Sequence, residues 1–288
     1  MDEQTALGVI GDRLPAAGDD CAVVDEQVIT TDMLHDRTDF PEGTTRYTAG
    51  WRAVGASLSD VAAMGAKATA AVAVYAAPEF EEGELSAFLD GATAVCAAVG
   101  AEYVGGDLDG HDEFTVATTA LGETDDPVRR SGAEPGDAVC VTGTLGRTAA
   151  AIRLFERGDT DAANELFRFE PRVAAGRALA PHASAMLDSS DGLARSVHQL
   201  CAASDCGAAL TGPLPIDKRV EEVAADADDR RELGAFFGED FELVCTVPEA
   251  EVATVQDATP CPLHRVGTVT ESGVTLDGAA LPDRGYSH

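Results

Sequence analysis

Residues 48–65 read T-A-G-W-R-A-V-G-A-S-L-S-D-V-A-A-M-G, and residues 67–77 continue K-A-T-A-A-V-A-V-Y-A-A. In the first stretch Trp51, Val54, Leu58 and Val61 recur at helical spacing, which predicts an amphipathic helix from Thr48 to Gly65. The second is alanine and valine without that period and reads as a strand. Working outward, C-A-V-V-D-E-Q-V-I-T-T-D-M-L from Cys21 is β-branched strand material. Glu82 to Val99 reads as a second helix, with Leu85, Phe88, Leu89 and Val95 inward. E-Y-V-G-G-D follows as a strand running into a turn, and E-F-T-V-A-T-T-A-L-G as another strand.

Around E-T-D-D-P-V-R-R-S-G-A-E-P-G-D the chain turns polar and rich in Pro and Gly, which places a domain junction near Arg130, between 1–128 and 129–288. Beyond it, D-A-V-C-V-T-G-T-L-G predicts a strand and glycine turn, with a helix from Thr148 to Arg157 and a helical tract from Asp161 to Ala180. S-A-M-L-D-S-S is a strand leading into the helix of D-G-L-A-R-S-V-H-Q-L-C-A-A-S. F-E-L-V-C-T-V-P and L-H-R-V-G-T-V-T-E-S-G-V-T-L supply further strands. Each half therefore reads as α/β or α+β, without internal repeats.

Charge dominates the composition. Among 288 residues, 51 acids face 20 bases, of which only Lys67 and Lys218 are lysines. Nucleic acid is excluded as a partner class, because like charge repels where counterion release should attract. Acid runs such as E-F-E-E-G-E and D-A-D-D-R-R-E read as solvated faces of helices. A halophilic source follows: at molar salt the screening length falls to about 3 Å, which makes such self-repulsion tolerable. No apolar run approaches the roughly 20 residues of a membrane span. The acidic start lacks a signal-peptide pattern, so a cytoplasmic location is expected. The seven cysteines form no C-x-x-C pair and read as small buried hydrophobes.

In so acidic a chain an isolated Asp is solvent-facing by default. Six stand apart because their neighbours are apolar, glycine or hydroxyl residues: Asp20, Asp32, Asp60, Asp107, Asp188 and Asp191. All but Asp60 fall at predicted strand ends or turns, where sites are built. L-D-S-S-D-G-L, residues 187–193, is the densest case, with two acids, two hydroxyls and no adjacent base or nucleophile. Carboxylates so placed serve either acid–base chemistry or hard cations. The hydroxyls of Thr30, Thr31, Ser189 and Ser190 favour cations, since they add oxygen ligands without adding charge. Magnesium is the economical choice, and phosphates the matching anionic ligand. The chain has no P-loop and no kinase H-R-D or D-F-G set. V-T-G-T-L-G-R-T offers backbone amides to a phosphate or is a plain turn. Arg130 is a phosphate contact or an ordinary surface arginine.

In order along the chain stand G-D-D-C-A, T-T-D, S-L-S-D-V-A-A-M-G-A, G-G-D, R-S-G-A-E-P-G-D, V-T-G-T-L-G, L-D-S-S-D-G-L and G-E-D-F-E-L. This series, from Gly18 to Leu243, resembles the thiamine-monophosphate kinases of the aminoimidazole ribonucleotide synthetase-like superfamily. The resemblance implies a two-domain fold, with an N-terminal sheet that pairs in a dimer barrel and a C-terminal α+β domain. It implies transfer of a phosphoryl group from ATP to thiamine monophosphate in a homodimer, with several magnesium ions and potassium as an optional further cation. It places Asp20, Thr30, Thr31, Asp32, Asp60, Asp107, Asp188 and Asp191 on magnesium. It places Gly105, Gly106, Arg130 and Ser190 on the nucleotide, and Glu239 and Tyr286 on the thiamine substrate. Asp39 stands where many relatives have His, and there a cation or water bridges to the substrate. The G-Y-S-H end stops short of the family's final Phe. No dedicated catalytic base is expected, because the acceptor phosphate is already ionised. A selenide-activating sister enzyme would carry a reactive cysteine near the glycine loop, whereas Cys21 reads as strand core. A carbamoyl-handling sister would end in a cysteine-bearing tail. A non-catalytic cation-binding module would scatter its acids instead of ordering them in motifs.

Overall fold

The computed structural model describes residues 9–11, 13–14 and 17–286. Its strands form two sheets. The first comprises β1 (Ala22–Val24), β2 (Gln27–His35), β3 (Lys67–Ala77), β4 (Glu102–Gly110) and β5 (Thr115–Glu123), in the order β1-β2-β5-β3-β4. β5 lies antiparallel between β2 and β3, and β4 runs parallel to β3 at the edge. A parallel pair needs a crossover. After the single turn of α1 (Asp36–Asp39) and the long α2 (Arg46–Ala63), helix α3 (Glu82–Val99) supplies that crossover.

Helix α2 starts two residues before the expected Thr48, because the Thr45 hydroxyl accepts the Thr48 N–H as an N-cap. Strand alternation turns Val28, Thr30, Asp32 and Leu34 of β2 toward the helices, and Ile29, Thr31 and Met33 to the opposite face. That opposite face stays apolar and open, with Ile29, Met33, Val74, Val104 and Leu108 exposed. The expected turn after V-G-G-D is absent: pairing with β3 continues to Gly110, so Asp107 lies inside an exposed edge strand.

α2 and α3 touch backbone to backbone. A Cβ on Gly91 would sit 2.0 Å from the Tyr47 carbonyl oxygen, and one on Gly50 2.2 Å from that of Phe88. Gly91→Ala sets two effects against each other. Helix propensity favours alanine by up to about 1 kcal/mol, while overpacking costs about 1–3 kcal/mol. No rotamer relieves a clash with a carbonyl, so overpacking wins. The expected result is a lower thermal midpoint at fixed salt; an equal or higher one would show that the helices separate freely.

The second sheet runs β12-β11-β8-β10-β6-β9-β7, from β6 (Ala138–Thr142), β7 (Ala185–Asp188), β8 (Gly207–Leu210), β9 (Leu243–Val247), β10 (Leu263–Thr270), β11 (Val274–Leu276) and β12 (Ala279–Ala280). Its helices are α4 (Arg147–Glu156), α5 (Thr160–Phe167), α6 (Val173–Leu179), α7 (Leu193–Ser204), α8 (Lys218–Val223), α9 (Ala227–Ala235) and α10 (Val252–Ala258). The single helical tract expected over 161–180 is two helices, since Pro171 cannot continue one. The acidic run at 226–232 does form a helix, with Asp226 capping the N–H groups of Asp228 and Asp229. One buried cluster links the two sheets, from Val28, Leu58 and Phe88 through Phe167 and Leu179 to Met186 and Cys245. The seven cysteines are free, and five of them are buried. No helix of the described residues is long and apolar enough to cross a membrane.

Candidate active site

Where the sheets meet, three carboxylates converge. Asp20 precedes β1, Asp60 rides on α2 and Asp188 ends β7, and one oxygen of each lies within 4.8 Å of the others. Burial, then the charges of Asp32, Asp188 and Asp20, pushes the Asp60 carboxyl well above the usual carboxylate range. Burial and Asp20 push Asp188 up to about 8. Hydroxyl groups aim these acids. Thr30 donates to Asp60 at 2.5 Å, Ser57 to Asp32 at 2.6 Å and Ser59 to Asp188 at 2.8 Å. The Arg130 guanidinium grips Asp20 at both carboxylate oxygens, 2.9 and 3.2 Å away.

Crowded acids with neutral oxygens alongside suit a hard divalent cation. Ser189, next to Asp188, adds a buried hydroxyl with no partner among the described residues, as expected where a hydrated ion or a phosphate completes the shell. The donor set fits.

Other candidates lie outside this set of three. Thr31 turns to the open sheet face and donates to the Thr118 carbonyl, so its hydroxyl points away from the cluster. Asp191 accepts from Gln199. Asp107 is exposed on β4. The register Asp32–Thr118–Ala73–Gly106 puts three strand spacings, about 14 Å, between β2 and its segment. Gly105, Gly106 and Asp107 line a cavity of about 390 Å³ with Tyr75, Leu85, Phe88, Leu89 and Tyr103.

A different cavity, of about 230 Å³, unites Asp39, Glu239 and Tyr286 with Thr148 and the rings of Phe40, Phe167 and Phe237. Asp39 accepts from the His35 N–H and the Thr38 hydroxyl. Burial, then Glu239 and Asp39, raises the Tyr286 phenol to about 12. Glu239 belongs to G-E-D-F-E-L, whose three acids are anchored separately. Arg52 holds Glu239 at 2.6 Å. The Gly146 and Thr148 N–H groups hold Asp240, which burial still raises to about 7. Arg172 holds Glu242 through two contacts of 2.6 and 2.7 Å.

The cavity loop and the acid loop are joined directly. Glu239 N–H donates to the Ser190 carbonyl, Phe241 N–H to that of Ser189, and Tyr286 N–H to that of Asp191. Gly238 makes this approach feasible: its φ is +85°, and a Cβ there would lie 2.5 Å from the Ser190 oxygen.

Ser57, Ser59, Thr118 and Arg52 carry no sequence signal strong enough to single them out. The two serines leave one trace, hydroxyls at alternate positions inside a helix that they do not favour.

Residues 18–124 match the model of the AIR synthase related protein N-terminal domain, and residues 134–277 that of its C-terminal domain. The chain is 62% identical to the thiamine-monophosphate kinase of Halobacterium salinarum, covering all of both chains. It is 38% identical to that of Methanospirillum hungatei JF-1, covering 100% of this chain and 99% of the relative. Among solved structures, AaThiL complexed with AMPPCP and TMP superposes with a TM-score of 0.90 at 26% identity, covering 100% of this chain and 97% of that one.

Proposed function

Because the chain belongs to the thiamine-monophosphate kinase family, built from the two AIR synthase related domains, we propose that it transfers the γ-phosphoryl group of ATP to thiamine monophosphate. The products are thiamine diphosphate and ADP. The carrying observation is the direct hydrogen bonding of the acid loop at Ser189–Asp191 to the G-E-D-F loop lining the aromatic, carboxylate-bearing cavity. One site can thereby hold a polyphosphate and a cationic ring system at a set separation. The rings of Phe40, Phe167, Phe237 and Tyr286 suit flat heterocycles, and Asp39 and Glu239 suit their charge and amino group.

The acceptor phosphate is already ionised, so the protein needs no general base; its task is to orient two anions and offset their repulsion. Asp20, Asp60 and Asp188, supported by Thr30, Asp32 and Asp191, would hold magnesium, which when bound supplies charge neutralisation to the phosphates. Ser57 and Ser59 keep the acids aimed. Arg130, tied to Asp20, would meet the nucleotide at the cluster's rim, and Ser190 would contact it from the acid loop.

Two copies complete the site in this reading. Asp107, Gly105 and Gly106 lie too far across their own sheet, on an exposed edge beside an open apolar face. Pairing of two such faces into a homodimer would bring the β4 edge of one copy to the β2 acids and the Thr31 main chain of the other. The metal and nucleotide half, 1–128, would then also be the dimerisation half, with 129–288 supplying most of the acceptor cavity. Val74→Glu, on the open face, is expected to convert a dimer to monomers in light scattering and to remove activity. A wild-type monomer with full turnover would contradict this.

The direct test is ADP release from ATP at molar potassium chloride with magnesium, with and without thiamine monophosphate. Thiamine-phosphate-dependent ADP formation is expected; its absence, or AMP as product, overturns the reading. Sodium in place of potassium tests the monovalent ion.

A further inference from the structure

We infer that Arg52 is the positioning residue of the acceptor cavity, locking the Glu239 carboxylate and the loop that presents it; this deepens the kinase reading and rests on it. Arg52 lies on α2 in the N-terminal half, and its side chain is fully buried. Burying a guanidinium is costly unless its donors are used; both terminal nitrogens of Arg52 are, and only Nε lacks a partner among the described residues. One terminal nitrogen donates to the Glu239 Oε2 at 2.6 Å and to the Glu239 carbonyl at 3.2 Å. The other donates to the Phe167 carbonyl at 2.9 Å and contacts the Thr148 hydroxyl at 3.4 Å. The plane lies over the Phe167 ring, 3.8 Å from its centroid.

Arg52 thus contacts Glu239 at both side chain and main chain, and Thr148 closes the circuit by donating to the same Glu239 carbonyl at 2.6 Å. The loop needs such holding. Glu239 and Phe241 have φ of +61° and +54°, left-handed values that non-glycine residues keep only where the surroundings impose them. A planar fork can meet a carboxylate and two carbonyls at once; an ammonium cannot keep all of these directions. Glu239 itself lines the acceptor cavity, whereas Arg52 does not, so Arg52 acts through Glu239.

The test uses the full chain at molar salt, comparing R52K, E239Q and the double variant. R52K keeps the charge and loses the fork. Its KM for thiamine monophosphate should rise about tenfold to a hundredfold, the range for a lost charged hydrogen bond, while its KM for ATP stays within about twofold. The double variant should fall short of additivity, because the carboxylate contact is shared by both changes while the Arg52 contacts to the Glu239 and Phe167 carbonyls are not. An unchanged KM for thiamine monophosphate in R52K overturns the inference. So does a joint shift of both KM values and the melting point that adds to the E239Q effect, the signature of a merely structural ion pair. If R52K does not fold, Thr148→Val removes the hydroxyl between Arg52 and the Glu239 carbonyl. That variant should raise the KM for thiamine monophosphate several-fold, and no rise overturns the inference. Wild-type protein without thiamine-phosphate-dependent ADP release would instead sink the kinase reading itself.

Discussion

Asp60→Asn should lose about a thousandfold in turnover, the upper range for removing one charge-stabilising group, while the metal-free variant melts higher than wild type. Both effects come from one cause. Asp60 shares its space with Asp20 and Asp188, with a carboxylate oxygen of each inside 4.8 Å. Without divalent ions that crowding is repulsive, and the amide relieves it while still accepting from the Thr30 hydroxyl. On the proposed reading the same carboxylate would serve as a metal ligand once ions and nucleotide bind. The pH dependence has a definite sign. Folding raises the Asp188 pKa from 3.8 to about 8, so between those values the folded state holds more protons than the unfolded chain. Stability from this cluster therefore falls as pH rises through that window. In chelator, the melting advantage of Asp60→Asn should grow from pH 5 to pH 8. Wild-type turnover, or a variant that melts lower at pH 8, would contradict the assignment.

Gly238→Ala is the second large effect. A Cβ would meet the Ser190 carbonyl oxygen at 2.5 Å and the Asp191 carbonyl carbon at 2.7 Å, and φ +85° disfavours any side chain there. Both obstacles are backbone. The loop must move away, and the Glu239 and Phe241 hydrogen bonds to Ser190 and Ser189 go with it. A displacement near 1 Å between reacting groups costs on the order of a hundredfold in rate. Turnover should fall at least that far with ATP binding retained, measured by titration calorimetry beside the ADP assay. A variant with wild-type kcat would show that the two loops work independently.

Much of this was legible in advance, and the exceptions have physical reasons. The face of Trp51, Val54, Leu58 and Val61 was readable because burial of one helix face imposes a period on sequence. Asp20, Asp60 and Asp188 were readable because, in a chain full of solvated acids, these sit among glycine, hydroxyl and apolar neighbours. Arg52 was not. Nothing local in the sequence signals its burial, and only the meeting with Glu239, 187 residues later, makes that burial tenable. V-G-G-D on its own reads as a turn at Asp107. Whether a glycine pair ends a strand depends on how far its neighbour β3 continues, which is not local information. The split of α5 from α6 comes from Pro171, a breaker set within a stretch of otherwise helix-favouring composition.

One helix carries both ends of the proposed chemistry. Arg52 holds Glu239, which lines the acceptor cavity, and Asp60 belongs to the acid cluster; from position 52 to position 60 an α-helix rises about 12 Å. On the proposed reading α2 would act as a ruler, its pitch setting how far apart the Glu239 anchor and the acid cluster are held.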